Sequence, residues 1–208
     1  MALLGFAFRL SPFERAQGCA PSLKLRKQFF SLLLFILAFA VLGSDHAQAQ
    51  TKEYELKAAF LFNFAEFVKW PPGSFPTADA PFCIGILGDD PFGSVLEATV
   101  NGETIDNHRL TVMRSQQIED LKNCQMIFIS RSEEGHVVEV LSQLDSKPIL
   151  TVSDVESFAQ DGGDIDFYLS DGKVRFEINP QSAQRCGLKI SSQLLSLGKI
   201  VKLAGGGN

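Results

Sequence analysis

The sequence predicts an α/β domain: a mixed, mostly parallel sheet flanked by helices, with an antiparallel hairpin at one edge. Three observations carry this expectation. Short apolar runs alternate with amphipathic segments from residue 82 to residue 152, the pattern of strand–helix–strand units. The turn Ser170-Asp171-Gly172-Lys173 separates Ile165–Leu169 from Val174–Ile178, which reads as a hairpin. The chain is 208 residues long, 45% apolar and 21% charged, a composition that excludes disordered and low-complexity classes. No internal repeat or second linker is visible, so one domain is expected after the leader described below.

Residues 52–70 (KEYELKAAFLFNFAEFVKW) read as a helix, because Leu56, Phe60, Phe64, Phe67 and Val68 recur on one face. Pro71-Pro72-Gly73 ends it. Phe62 points away from that stripe and is a candidate partner contact. Phe82–Leu87 is an apolar strand closed by Gly88-Asp89-Asp90-Pro91. A short helix at 92–99, a strand at Leu110–Met113 and a short helix at 116–122 follow. Met126–Ile129 is a buried strand, and Ser132-Glu133-Glu134 opens a helix bearing Val137, Val138, Val140, Leu141 and Leu144. Ile149–Val152 is a strand, with a helix expected around 155–160. After the hairpin, Asn179-Pro180 starts a helix with Asn as N-cap and Pro at the first helical position. Ser191–Leu203 reads as a final amphipathic helix, and Gly205-Gly206-Gly207 as a mobile tail.

The first 49 residues read as a processing segment. Lys24, Arg26 and Lys27 precede the apolar run Phe29–Leu42, and Ala47-Gln48-Ala49 is a small-x-small cleavage pattern. The run is 14 residues, short of the roughly 20 that span a bilayer. A mature domain of 50–208, exported to the periplasm, is therefore expected. Without the leader the charge is 14 basic against 22 acidic residues, or −8. That balance, with no basic stripe, argues against nucleic acid and against an anionic membrane surface.

Export changes how the cysteines read. Cys83, Cys124 and Cys186 remain, so one disulfide and one thiol are the expectation. Cys83 lies near the start of one strand and Cys124 two residues before another. Parallel strands of this kind are commonly neighbours, which would bring the two Cα atoms within the roughly 4.4–6.8 Å a disulfide spans. Two buried, unpaired thiols are the alternative. Metal ligation is disfavoured, since no CxxC or HxxxH spacing exists and His108 and His136 are isolated.

The acidic pair Asp89-Asp90 marks the carboxyl edge of the sheet, where doubly wound folds bind ligands. With Ser130 and Ser153, at the ends of two later strands, it defines a candidate small-ligand crevice. Receivers of response regulators also place two acids there, but the phosphoacceptor position holds Ser130-Arg131. Asp161-Gly162-Gly163-Asp164 is followed by Ile165-Asp166-Phe167, which lacks the acids of a cyclase signature. No GxSxG, Walker or GxGxxG motif occurs, so nothing in the sequence supports catalysis and no cofactor is expected.

Four stretches, in order, carry a resemblance: AAFLFNFAEFVKWP at 58–71; IGILGDDPFG at 84–93; CQMIFIS at 124–130 with LTVSD at 150–154; and VRFEIN at 174–179 with GLKISSQLLSLGKIV at 187–201. Over nearly all of residues 52–203 the chain resembles the YfiR family of periplasmic bacterial proteins. The resemblance implies an α/β sandwich without catalytic activity. It implies a repressor that binds the periplasmic region of an inner-membrane diguanylate cyclase, or a related sensor, and so lowers cyclic di-GMP and biofilm formation. It also implies that Cys83 and Cys124 form the family's sheet disulfide. A second, short-range pair of some relatives has no counterpart, because 155–170 holds no cysteine.

Partner contact is expected at apolar side chains outside the core: Phe62, Leu197, Ile200 and Leu203. A homodimer is a further arrangement this reading admits. The alternative function is a periplasmic small-ligand module feeding a sensor kinase, through Asp89, Asp90, Ser130 and Ser153.

Overall fold

The structure is a computed structural model that describes residues 50–201. The leader, Leu203 and the glycine tail lie outside the described residues. The first element is helix α1, residues 50–67. It ends earlier than expected because Val68–Lys69 form strand β1, paired antiparallel with β9, Lys189–Ile190. The buried face of α1 is also rotated from the expected one. Tyr54, Ala58, Leu61, Phe64, Ala65 and Val68 are buried, whereas Leu56 is exposed. Spacings alternating between four and three through 54, 58, 61, 65 and 68 fit the 3.6-residue turn as well as the expected set did. Which stripe faces inward is decided by the sheet beneath, where Phe64 stacks on Phe167 and meets Phe176 edge-on.

The main sheet contains β2 (Phe82–Leu87), β3 (Thr104–Ile105), β4 (His108–Ser115), β5 (Met126–Ile129), β6 (Leu150–Ser153), β7 (Ile165–Ser170), β8 (Lys173–Ile178) and β10 (Lys199–Ile200). Their order is β10-β8-β7-β6-β5-β2-β4-β3. The stretch from β4 through β7 is parallel, β7 and β8 form the antiparallel hairpin, and β3 is antiparallel to β4. The expected architecture is thus observed, with β10 added parallel to β8 beyond the hairpin. Asp171 and Gly172 both have positive φ, the geometry that matches the right-handed twist of the flanking strands.

The connections are α2 (Ser94–Val100), α3 (Ile118–Leu121), a 3-10 segment at Arg131–His136 leading into α4 (Val137–Leu144), α5 (Pro180–Arg185) and α6 (Ser192–Leu197). Asn179 caps α5 by accepting from the Ser182 N–H at 3.1 Å, as the Asn-Pro pair predicts. Two expected helices differ. Residues 156–162 form a succession of turns, because Asp154–Val155 must fold straight back toward β7 after β6. The last helix stops at Leu197, so that Ile200 and Val201 leave it. A Cβ at Gly198 would lie 2.6 Å from the Phe176 ring and 2.9 Å from Ile178, so the backbone there packs directly on β8 and delivers β10 to the sheet.

Alternation along the strands divides the core in two. One face holds Phe82, Ile84, Ile86, Met126, Phe128, Leu150, Val152, Ile165 and Phe167 beneath α1 and α2. The other holds Leu87, Ile127 and Ile129 beneath α3 and α4, with Phe158 and the cysteines.

Candidate functional site

Cys83 and Cys124 are bonded, with Cα atoms 4.5 Å apart and a sequence separation of 41. β2 and β5 are neighbours, and Cys124 precedes β5, so the bond closes the amino end of two adjacent parallel strands. The Gln125 side chain reinforces that corner, accepting from the Cys83 N–H at 2.9 Å and donating to the Ser74 carbonyl at 2.9 Å. Trp70 joins it by donating to the Gln125 carbonyl at 3.0 Å. Cys186 is a free thiol, half-buried, and burial raises its pKa above the ordinary thiol range. Such a thiol is little ionised at neutral pH and a poor nucleophile.

The four crevice residues meet along the carboxyl edge of β2, β5 and β6, but their polar atoms bond within the protein. Asp90 accepts from the Phe92 N–H at 2.8 Å and from Arg114 Nε at 2.6 Å. Arg114 also bridges to Glu97, which holds the guanidinium charged and the Glu97 carboxyl below its usual range. The Asp89 N–H donates to Ser132 Oγ, which lies 2.8 Å from Ser130 Oγ. Gly88, with φ of 84°, lets the chain pass so close that a Cβ would sit 2.3 Å from Ser132 Oγ. Ser153 is fully buried; its hydroxyl donates to the Ile129 carbonyl at 2.7 Å and accepts from the Val155 N–H at 3.0 Å. Ser153 therefore clamps β6 to β5.

A second group of charges lies beside it, under the end of β6. Lys57, in the middle of α1, is 2% exposed and donates to Asp154 Oδ2 at 2.5 Å, with Glu53 also 2.5 Å away. The Tyr54 hydroxyl donates to the same Oδ2 at 2.8 Å. Burial and the Asp154 charge push the Tyr54 pKa well above its usual value, so it stays a donor. Arg131 adds a longer ion pair to Asp154 at 3.5 Å. Asp166 and Glu177 are buried further along the same rim. The sequence reading missed this group. Its signal was Lys57 inside an apolar helix, one turn after Glu53, and two acids at alternate positions of the hairpin strands.

Of the expected partner contacts, Phe62 is half-buried against the core under α1, while Leu197 is 67% and Ile200 44% exposed. Leu203 lies outside the described residues. His108 stacks on Phe75 and its Nδ1 lies 2.6 Å from the Ala80 carbonyl; His136 is exposed near Glu133. Among the described residues no three His, Cys, Asp or Glu side chains are grouped to hold a metal. No helix among them is long and apolar enough to cross a membrane.

The profile of YfiR/HmsC-like proteins matches residues 54–199, which runs from the first buried tyrosine of α1 to β10 and includes both cysteines of the disulfide. The chain belongs to the YfiR/HmsC-like family. No curated protein matches it. A solved structure, described as a conserved domain protein from Vibrio cholerae O1 biovar eltor str. N16961, aligns at 10% identity with a TM-score of 0.45. The alignment covers 58% of this chain and 55% of that one. For this YfiR/HmsC-like chain the sheet disulfide implied by the sequence resemblance is present, between the two cysteines expected.

Proposed function

We propose that the chain is a periplasmic regulatory protein rather than an enzyme. It binds the periplasmic region of an inner-membrane diguanylate cyclase, or a related sensor, and represses it, lowering cyclic di-GMP and biofilm formation. The observation that carries this reading is family membership across residues 54–199. The Cys83–Cys124 bond supports it, because such a bond persists in an oxidising compartment.

The mechanism follows from linkage. A repressor shifts a receptor between active and quiet states only by its difference in affinity for the two. About 1.4 kcal/mol of difference moves the equilibrium tenfold. Leu197, at the end of α6, and Ile200, on the outermost strand, are exposed apolar side chains a few residues apart and are the contacts proposed. Phe62 is the weaker candidate, since it already packs on the core.

The test is cyclic di-GMP synthesis by a reconstituted full-length cyclase, taken from beside this protein's own locus, titrated with the purified protein. Dose-dependent inhibition is expected, weakened by Leu197→Asp or Ile200→Asp. A cyclase that stays fully active at saturating protein removes that partner.

A further inference from the structure

β6 ends at Ser153, opposite Asp166, whereas β7 runs on to Ser170 with β8 alongside it. The hairpin therefore overhangs the end of β6 and leaves a cleft of about 490 Å³, within the range of small-ligand sites. Asp154, Asp166 and Glu177 line it, and each is more than nine-tenths buried. Asp166 and Glu177 stand directly opposite each other in the β7–β8 ladder. Like charges in that position destabilise a sheet unless something answers them.

Two of the three carboxylates hold a lysine from within the protein, whereas Asp166 meets only the backbone of Ala159 and Phe158. Glu177 accepts from Lys199 at 2.5 Å and from Gln160 at 2.7 Å. Asp154 holds Lys57 and Tyr54 on its Oδ2. Asp166 takes part in none of the ion pairs among the described residues, and its Oδ1 has no hydrogen-bond partner there. Burial, and then the Glu177 charge, raise the Asp166 pKa to about 7. A cation arriving at this carboxylate would displace a proton and complete the set. The cleft mouth adds Glu134 and Glu156, against the single exposed guanidinium of Arg131, so an anion is disfavoured. A bare metal ion is disfavoured too, because no three-ligand group exists among the described residues. Apolar surface is at hand on Tyr168, two residues from Asp166 on the same face of β7.

We propose that this cleft binds a small aliphatic amine, its ammonium group donating to the Asp166 carboxylate and its hydrocarbon stem lying along Tyr168. The site is separate from the Asp89–Asp90 crevice, and its occupancy does not depend on the repressor role.

The experiment is isothermal titration of the purified protein with diaminobutane and butylamine, at low salt and about pH 8. Saturable binding is expected, weakened about tenfold or more by Asp166→Asn and unchanged by Glu103→Gln, an exposed acid beside the opposite edge strand. Near pH 7 binding should release a proton, read as a heat that depends on the ionisation enthalpy of the buffer. Affinity should fall as pH falls through that range, with Asp154 and Arg131 at the end of β6 and β5, Glu134 in the 3-10 segment, Glu156 in the turns after β6, Glu177 on β8 and Lys199 on β10 as the charges facing the site. Four results would overturn the proposal. These are no saturable heat at millimolar amine, equal binding by folded Asp166→Asn protein, butanoate binding as well as butylamine, or calcium saturating the site with the same dependence on Asp166. Should the variant not fold, binding by the unmodified protein without proton release overturns it as well.

Discussion

On the face that α1 covers, Phe60, Phe64, Phe167 and Phe176 pack ring against ring, and Tyr54, Phe92 and Phe128 extend the aromatic layer. On the reverse, the same strands present Cys83, Thr151, Ser153, Asp166 and Glu177. The first face is mostly aromatic and aliphatic packing, with the Lys57–Asp154 pair at its rim. The second has a core of its own beneath α3 and α4 and also carries the disulfide, Asp164, Asp166 and Glu177. A sheet can carry both because successive side chains point to opposite sides, so chemistry on one side leaves the packing of the other intact. The YfiR/HmsC-like domain thereby packs both faces but confines most of its polar groups and its disulfide to one of them.

The sharpest way to break this comparison is to empty the aromatic face. Phe64→Ala should cost about 3–5 kcal/mol in urea denaturation, since a fully buried ring between two others leaves a cavity the helix cannot close. A small loss would mean that α1 is not the principal cover.

On the reverse face, Cys83→Ser or a reductant should lower the melting temperature, by up to about 4 kcal/mol of stability for a loop of this length. Equal melting with and without reductant would show that the bond does not constrain the unfolded chain. Asp154→Ala tests the rim that joins the two faces. It leaves Lys57 buried with only Glu53, and a loss of about 3 kcal/mol is expected; the double variant with Lys57→Met should recover much of it. No recovery would mean that the pair is not the source of the loss.

The pH profile sharpens the contrast, because the raised carboxylates lie on the reverse face. Asp166 is raised to about 7 and Asp164 to about 6, both chiefly by burial. A carboxyl that holds its proton more tightly in the folded state stabilises that state at low pH. Its contribution falls as pH rises from the ordinary carboxylate range through the folded value. Denaturation at a series of pH values should therefore show a loss of stability toward about pH 7 that is shallower in Asp166→Asn. An unchanged slope would show that Asp166 does not titrate there. The smallest effect is expected at Arg114→Ala, about 1 kcal/mol or less, since that network with Asp90 and Glu97 is partly exposed and screened.

Much of the fold was legible in the residues. The strands from Phe82 to Val152 announced themselves as apolar runs bounded by turns, and the hairpin and the Asn179 cap by residue types that those backbone shapes require. The cysteine pairing was legible once the strands were placed. The rim of charge was not. Lys57 reads as an ordinary polar interruption of a helix until Asp154, 97 residues on, is brought beneath it. Asp166 and Glu177 look like the outward residues of half-exposed strands until the hairpin is covered by the 156–162 turns. The end of the last helix was missed for a similar reason. Periodicity continued past Gly198, and close packing on Phe176 turned the chain into a strand.

Local pattern is enough to choose strand, helix and turn, because backbone preference and the side-chain period act within a few residues. It also placed both cysteines at the amino ends of their strands, while the adjacency of those strands came from the sheet. The burial of lysine and acid together, the rotation of α1 and the opening of the cleft depend on groups far apart in the chain. Their energies are set by desolvation and by which charges face one another, and those exist only once the sheet has closed.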